Sequence, residues 1–300
     1  MTHIRDAATV VVIRGHQKSL QLLMLRRHHG HEFMANAWVF PGGSLDDRDG
    51  DPHLAKRIAG LDAGEAARRL GDGTEPERAL ALYVAALRET FEEAGLLLAR
   101  RCGEDQPLAL DDPAVSRRFE DFRTHVDEGR WGLAEVCRRE NLILECDKLA
   151  YLAHWITPDF ESRRYDTRFF IAPAPPQQRP SHDDGETTHR AWWTPGEAIE
   201  RYRDGEILLA PPTLRILEEL SDYSSFEQLF EDVRRRPAPP AILPHPIDGD
   251  SRELILTLPG DPEYPGEFSE STESTGEASR DGITRMVRRE GQWFSIASEQ

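Results

Sequence analysis

The sequence predicts an α/β (α+β) fold, in which a mixed β-sheet is sandwiched between helices and carries helical insertions. Three observations predict it. Short apolar, β-branched runs recur along the chain, as in Ala7–Arg14. Segments of helical periodicity alternate with them. One long helix ending near Ala94 carries Val84, Leu87 and Phe91, with Leu98 just beyond, an apolar stripe suited to docking on a sheet.

The elements follow in order. Ala7 to Arg14 is nearly continuous in apolar residues and predicts a strand buried on both faces. Gly15-His16-Gln17-Lys18 is a turn, and Leu20 to Arg27 returns as the second arm of a hairpin. His28-His29-Gly30-His31 follows as a loop facing solvent or substrate, with Arg27 or His31 as contacts to a phosphate. Trp38 to Phe40 is a short strand feeding a Pro41-Gly42-Gly43 turn, where glycine permits close backbone approach to a ligand. A polar insertion over about 45–74 includes a helix at Ala63–Leu70. Thr74-Glu75-Pro76-Glu77 opens the long helix, with Thr74 as N-cap, Glu77 completing a capping box and Gly95 as terminator.

A second insertion, about 103–147, is largely helical. Asp112-Pro113 opens one helix and a further helix runs toward Glu140. Its apolar stripe is too short for a core of its own, so it is expected as a cap over the substrate or a homodimer surface. Strands follow at Leu149–Thr157, Thr167–Ala172 and Glu186–Trp193. Helices follow from Thr194, Pro212–Tyr223 and Ser225–Arg235. One domain therefore spans 1–245. The remainder, 246–300, is an extension, partly disordered over Gly260–Gly282, with a terminal hairpin around Glu290-Gly291.

Composition excludes several classes. The chain has 300 residues, 38% of them hydrophobic, and a formal net charge of −17. That charge opposes binding to nucleic acid or to an anionic membrane surface. No apolar run approaches the ~18 residues of a membrane span. The N-terminus lacks the build of a signal peptide, and Ser298-Glu299-Gln300 is not a peroxisomal address, so a cytoplasmic location is expected. The three cysteines have no metal-ligand or redox spacing.

The chemistry concentrates in Arg88-Glu89-Thr90-Phe91-Glu92-Glu93-Ala94-Gly95-Leu96. Helical spacing brings Glu89, Glu92 and Glu93 to one side. Three carboxylates so placed repel one another, and Arg88 alone cannot neutralise them. Hard oxygen donors in this number suit Mg²⁺ or Mn²⁺.

Together with Phe40-Pro41-Gly42-Gly43, this stretch resembles the Nudix hydrolase signature: Gly, five residues, Glu, seven residues, Arg-Glu, two residues, Glu-Glu, one residue, Gly. Thr90 replaces the usual aliphatic residue. About 31 extra residues separate Gly43 from Arg88, and the first Glu has three stand-ins, Asp49, Glu75 and Glu77. A long insertion here, with Tyr165–Phe170 and Trp192–Ala198, is similar to the branch containing coenzyme A diphosphatases. The resemblance implies a Nudix-type sheet between helices and metal-dependent hydrolysis of a small-molecule diphosphate, coenzyme A or an acyl derivative first. It implies Arg88, Glu89, Glu92 and Glu93 as catalytic residues, with the three glutamates as metal ligands. Gly42, Gly43 and Arg168 are expected to bind substrate, although Arg168 fits equally well as an ion-pair partner of Asp166. A box glutamate or Glu186 is expected as general base. An ADP-ribose or dinucleotide pyrophosphatase, a non-catalytic ligand-binding Nudix module and an acidic protein-docking face remain as alternatives.

Overall fold

The computed structural model describes residues 4–16, 19–28, 34, 36–181, 187–247, 253–265 and 282–297. The Gln17-Lys18 turn, His29 and His31, Glu186, the stretch 266–281 and Ser298–Gln300 lie outside the described residues.

β1 (Ile4–His16) and β2 (Ser19–Arg27) form the expected antiparallel hairpin, with Ile13 opposite Leu22. Side chains alternate across a strand. Ala8, Val10 and Val12 therefore enter one core and Val11 and Ile13 the other, so a continuous apolar run is what this position requires. β3 (Trp38–Val39) pairs with the end of β2. The Gly42-Gly43 turn of the sequence reading is a third partner strand, β4 (Gly42–Ser44), which pairs with Ala7–Thr9 of β1.

The first insertion then forms two short 3₁₀ segments, Asp47–Gly50 and Pro52–Arg57, and α1 (Ala63–Leu70). α2 (Pro76–Ala94) is the long helix. Gly95 ends it at φ 66°, its N–H donating to the Phe91 carbonyl at 3.0 Å. The N-cap is Glu75 rather than Thr74. Thr74 is engaged elsewhere: its N–H donates to Asp72 Oδ1 (3.0 Å) and its hydroxyl accepts from Arg168 Nη2 (3.3 Å).

β5 (Ala99–Arg101), α3 (Pro113–Asp127), α4 (Leu133–Glu140) and β6 (Leu142–Leu144) make up the second insertion and its edges. Phe119, Phe122, Val126, Leu133 and Val136 join the same core as Val84, Leu87 and Phe91. The insertion is packed into the fold. Its α3 lies on the acidic side of α2, which is why that helix is buried nearly all round rather than along one stripe.

β7 (Ala150–Ile156) and β8 (Arg164–Pro173) extend the sheet, β8 running parallel to β1. β9 (Thr187–Trp193) flanks β2. α5 (Pro195–Arg203) begins with the expected capping box of Thr194 and Glu197. With α6 (Pro211–Leu220) and α7 (Phe226–Arg235) it covers the second sheet face. β10 (Ala241–Ile242) closes the edge beside β7, giving the strand order β10-β7-β8-β1-β2-β3.

The C-terminal stretch folds as a second, antiparallel sheet of β11 (His245–Ile247), β12 (Leu254–Thr257), β13 (Ile283–Arg289) and β14 (Gln292–Ala297), turning at Glu290-Gly291. Leu256, Leu258 and Met286 join the core under α5 and α6. Ser295 donates to Glu218 (2.6 Å) and Gln292 to the Tyr202 carbonyl (2.8 Å). No helix of the described residues is long and apolar enough to cross a membrane.

Candidate active site

The site is built where β4 passes the C-terminal half of α2. Arg88 is its hub. Its Nε and Nη2 grip Asp49 at 2.8 and 3.0 Å, the forked contact that a planar guanidinium favours. Its Nη1 donates to Glu89 Oε1 and Glu92 Oε2, both at 2.8 Å. Its Nη2 also reaches the Ser44 carbonyl at 2.7 Å, tying helix to strand. Glu93 turns the other way and accepts the Gly42 N–H at 2.8 Å.

Of the stand-ins for the first Glu of the pattern, Asp49 is therefore the residue that meets Arg88. The 3₁₀ segment holds it there: its carboxylate accepts the Asp46 N–H at 2.9 Å while Asp46 caps the same turn. Five residues also separate Asp49 from Gly43, the pattern's own spacing. The inserted residues enter after it.

All five charged groups are buried, none more than 9% exposed. Burial opposes the Arg88 charge, yet Asp49, Glu89 and Glu92 hold its pKa above the ordinary value. Burial raises Asp49 too, against the pull of Arg88. Glu92 is pushed up to about 7, first by burial and then by the nearby charges of Asp127 and Asp49, with Arg88 opposing. Arg88 alone does not balance the four carboxylates.

This has a measurable consequence. The folded Glu92 pKa lies above that of an unfolded glutamate, so the folded state binds the extra proton. Its contribution to stability is present below the unfolded pKa and is lost as pH rises toward 7. Without divalent ions, the melting temperature is expected to fall from pH 5 to pH 8. Glu92→Gln is expected to flatten that slope; a slope unchanged in the variant contradicts the assignment.

The glycines are fixed by contact. A Cβ on Gly43 would stand 2.5 Å from Glu89 Oε1, and one on Gly42 would stand 2.6 Å from the Ala8 carbonyl oxygen. Gly43→Ala must therefore displace a carboxylate, a mobile end, whereas Gly42→Ala must displace a strand. We expect Gly43→Ala to cut activity at least tenfold with a melting temperature near wild type, and Gly42→Ala to lower the melting temperature itself. Equal activity in Gly43→Ala and wild type contradicts this packing.

Glu89, Glu92 and Glu93 are neighbours on the C-terminal half of α2. Arg88 bridges the first two, the Gly42 N–H holds the third, and among the described residues no group of three or more His, Cys, Asp or Glu side chains is arranged to hold a metal ion. The donors themselves, hard oxygens in excess negative charge, fit a divalent cation.

Arg168 is not with them. It is 5% exposed and pairs with Asp6 (2.7 Å), Asp72 (2.8 Å) and Asp166 (3.0 Å). Through Thr74 it sits before the first turn of α2, and Glu89 is ~22 Å further along the helix at 1.5 Å per residue. Its guanidinium is the hub of an ion-pair cluster. Arg168→Met takes the shared partner from three carboxylates, of which Asp6 keeps Arg78 and Asp166 keeps His154, and is expected to cost about 3 kcal/mol of stability. The KM of the variant that remains folded should equal that of wild type; a raised KM would restore the substrate-binding role.

Arg123 was not legible in the sequence. From α3 its Nε donates to the Glu92 carbonyl at 2.6 Å and its Nη1 to Ser181 at 2.7 Å. It thereby clamps the second insertion and the chain beyond β8 onto the end of α2. A lone Arg on a helix 31 residues away carries no sequence signal for this.

A family profile described as the NUDT19 Nudix domain matches residues 4–220. The chain belongs to the NUDT19 Nudix family. It is a Nudix hydrolase. Among curated relatives, acyl-coenzyme A diphosphatase NUDT19 of Gallus gallus is 29% identical over 98% of this chain and 88% of its own. The protein of the same name in Homo sapiens is 29% identical over 92% and 80%. Among solved structures, a Nudix hydrolase from Alicyclobacillus acidocaldarius superposes with a TM-score of 0.62 at 28% identity, covering 79% of this chain and 100% of that one.

Proposed function

We propose that the chain hydrolyses the diphosphate of coenzyme A or an acyl-coenzyme A, releasing 3′,5′-ADP and a 4′-phosphopantetheine. The observation that carries the reading is the Arg88 network, which holds Glu89 and Glu92 while Glu93 is held by the Gly42 N–H. The substrate follows from relatives named acyl-coenzyme A diphosphatase that match 92–98% of the chain.

Attack on a diphosphate is slow because the phosphorus is shielded by anionic oxygens. Mg²⁺ or Mn²⁺, when bound, would neutralise those oxygens and make a bound water more acidic. Glu89 and Glu93, four apart on α2, would hold the cation, with Glu92 as a third donor. Arg88 fixes the orientation of Glu89 and Glu92. The Gly42 amide fixes Glu93. Burial by the two insertions excludes bulk water from this side of the helix. A cytoplasmic location belongs to the same proposal; a reducing compartment fits the free thiols of Cys102, Cys137 and Cys146.

The test is turnover by purified protein with Mg²⁺ or Mn²⁺, offered coenzyme A, acetyl-coenzyme A, ADP-ribose, NADH and diadenosine polyphosphates. Highest kcat/KM for a coenzyme A species is expected. Preference for ADP-ribose or a dinucleotide would move the substrate assignment. Silence on the whole panel, with ligand-induced thermal shifts, would make the chain a binding module.

A further inference from the structure

Asp49, the carboxylate that Arg88 grips with two bonds, is presented by a 3₁₀ segment of four residues, Asp47–Gly50. The internal bonds of so short a 3₁₀ segment are poor, and its position depends on what ties it down. Upstream it is tied to β1, where the Leu45 N–H donates to the Asp6 carbonyl at 2.9 Å. Within the turn, Asp46 accepts the Arg48 N–H at 2.8 Å and Asp49 accepts the Asp46 N–H at 2.9 Å. The two acids hold the turn reciprocally.

Arg48 joins this turn to the second insertion. Its Nε and Nη2 grip the Asp46 carboxylate at 2.7 and 2.8 Å, while its Nη1 donates to the Gly129 carbonyl, between α3 and α4. Gly132 lets the arginine lie against the same connection: a Cβ there would stand 3.1 Å from Arg48 Cβ. The connection is itself well anchored. The Arg130 and Trp131 N–H groups both donate to the His125 carbonyl, at 2.9 and 3.0 Å, and the Trp131 ring lies 5.6 Å from that of Phe122, a core residue. A continuous series of bonds thus runs from Gly129 through Arg48, Asp46 and Asp49 to Arg88, and from there to Glu89 and Glu92.

The Arg48 and Asp46 side chains are 43% and 34% exposed. An ion pair so exposed adds little to stability. Its geometry is nevertheless the forked, two-bond kind that fixes direction. Hydrogen bonding to Arg48 also holds the Asp46 carboxyl well below the usual carboxylate range, so the pair stays ionised near neutral pH. The contact therefore acts on where the turn places Asp49, rather than on whether the chain folds.

We propose that Arg48 is a positioning residue of the hydrolytic site, through which the α3–α4 connection fixes Asp49 against Arg88 and so sets the direction of Glu89 and Glu92. The inference rests on the hydrolase reading above and gives the second insertion a part in catalysis besides covering the helix.

The test compares the full chain with Arg48→Met, Arg48→Lys, Asp46→Asn and the double variant Asp46→Asn/Arg48→Met. Methionine keeps the aliphatic reach beside Gly132 and removes the donors. Lysine returns the charge without the fork. Asparagine keeps an acceptor for the cap and removes the charge. The readouts are kcat and KM for coenzyme A with saturating Mg²⁺, Mn²⁺ affinity by calorimetry without substrate, and the melting temperature. Arg48→Met is expected to lower kcat and weaken Mn²⁺ about tenfold each, the effect of losing a group that orients metal ligands. KM and the melting temperature should stay near wild type, and Arg48→Lys should recover part of kcat. The double variant should be no slower than the slower single one, since both changes break the same series of bonds. Unchanged kcat and Mn²⁺ affinity in Arg48→Met would overturn the proposal. A raised KM with unchanged kcat would overturn it too, making Arg48 a substrate contact. So would a fall in kcat matched by a lower melting temperature with no recovery in Arg48→Lys, or additive losses in the double variant. The hydrolase reading fails separately, by absence of metal-dependent turnover in the wild-type chain.

Discussion

Glu93→Gln is expected to abolish turnover in a protein that melts at the wild-type temperature. The side chain is 4% exposed and its Oε2 accepts the Gly42 N–H. Glutamine keeps that acceptor, the volume and the rotamer, so the link between β4 and α2 survives. What it loses is charge at the point where α2 and the glycine strand meet. Removing even an indirect partner of a metal costs ~10–100-fold; removing a direct carboxylate should exceed that. The measurement is kcat/KM with saturating Mg²⁺ or Mn²⁺ beside a thermal melt. Retained activity would remove Glu93 from the site.

Arg88 should fail in a different way. Its guanidinium is bonded to Asp49, Glu89 and Glu92, and it also reaches the Ser44 carbonyl. Arg88→Met leaves those carboxylates buried without their partner. Breaking a buried pair from one side costs about 3–5 kcal/mol, and here one side chain serves three partners. At roughly 2–4 °C per kcal/mol for a chain of this class, the melting temperature should drop by about 10 °C, with activity lost. Arg88→Lys restores charge without the fork. It should recover part of the stability and little of the activity, because one ammonium cannot hold Asp49 through two parallel bonds and still orient both glutamates. A Met variant as stable as wild type would show that the network is incidental.

The sequence made the helical frame legible because its signals are local. Ala63–Leu70, the Gly95 stop and the Thr194 capping box all follow from chemistry within one turn. The β1–β2 hairpin was legible from two apolar runs around Gly15. The Arg-Glu and Glu-Glu positions were legible as one helix face. What the residues do on that face was not, because it depends on partners distant in the chain. Asp49 lies 39 residues before Arg88, and three acids competed for its role until the 3₁₀ turn at Asp46–Asp49 placed one of them. Arg168 looked equally suited to substrate and to Asp166; its contacts with Asp6 and Asp72, 162 and 96 residues away, carry no local signal. The Thr74 cap failed for a similar reason, since Arg168 and Asp72 take its polar atoms. The pairing of β5 with β6 across the second insertion rests on three residues a side, too few to stand out as a pattern.

On the proposed reading, the Glu89–Glu93 face of α2 cleaves a diphosphate with the help of a divalent cation. The most direct measurement is the mass of the products formed from coenzyme A, with Mg²⁺ or Mn²⁺ and with chelator, by wild type and by Glu93→Gln. 3′,5′-ADP and 4′-phosphopantetheine are expected only from the wild-type chain with a divalent cation. The same products in chelator, or in equal yield from Glu93→Gln, would contradict it.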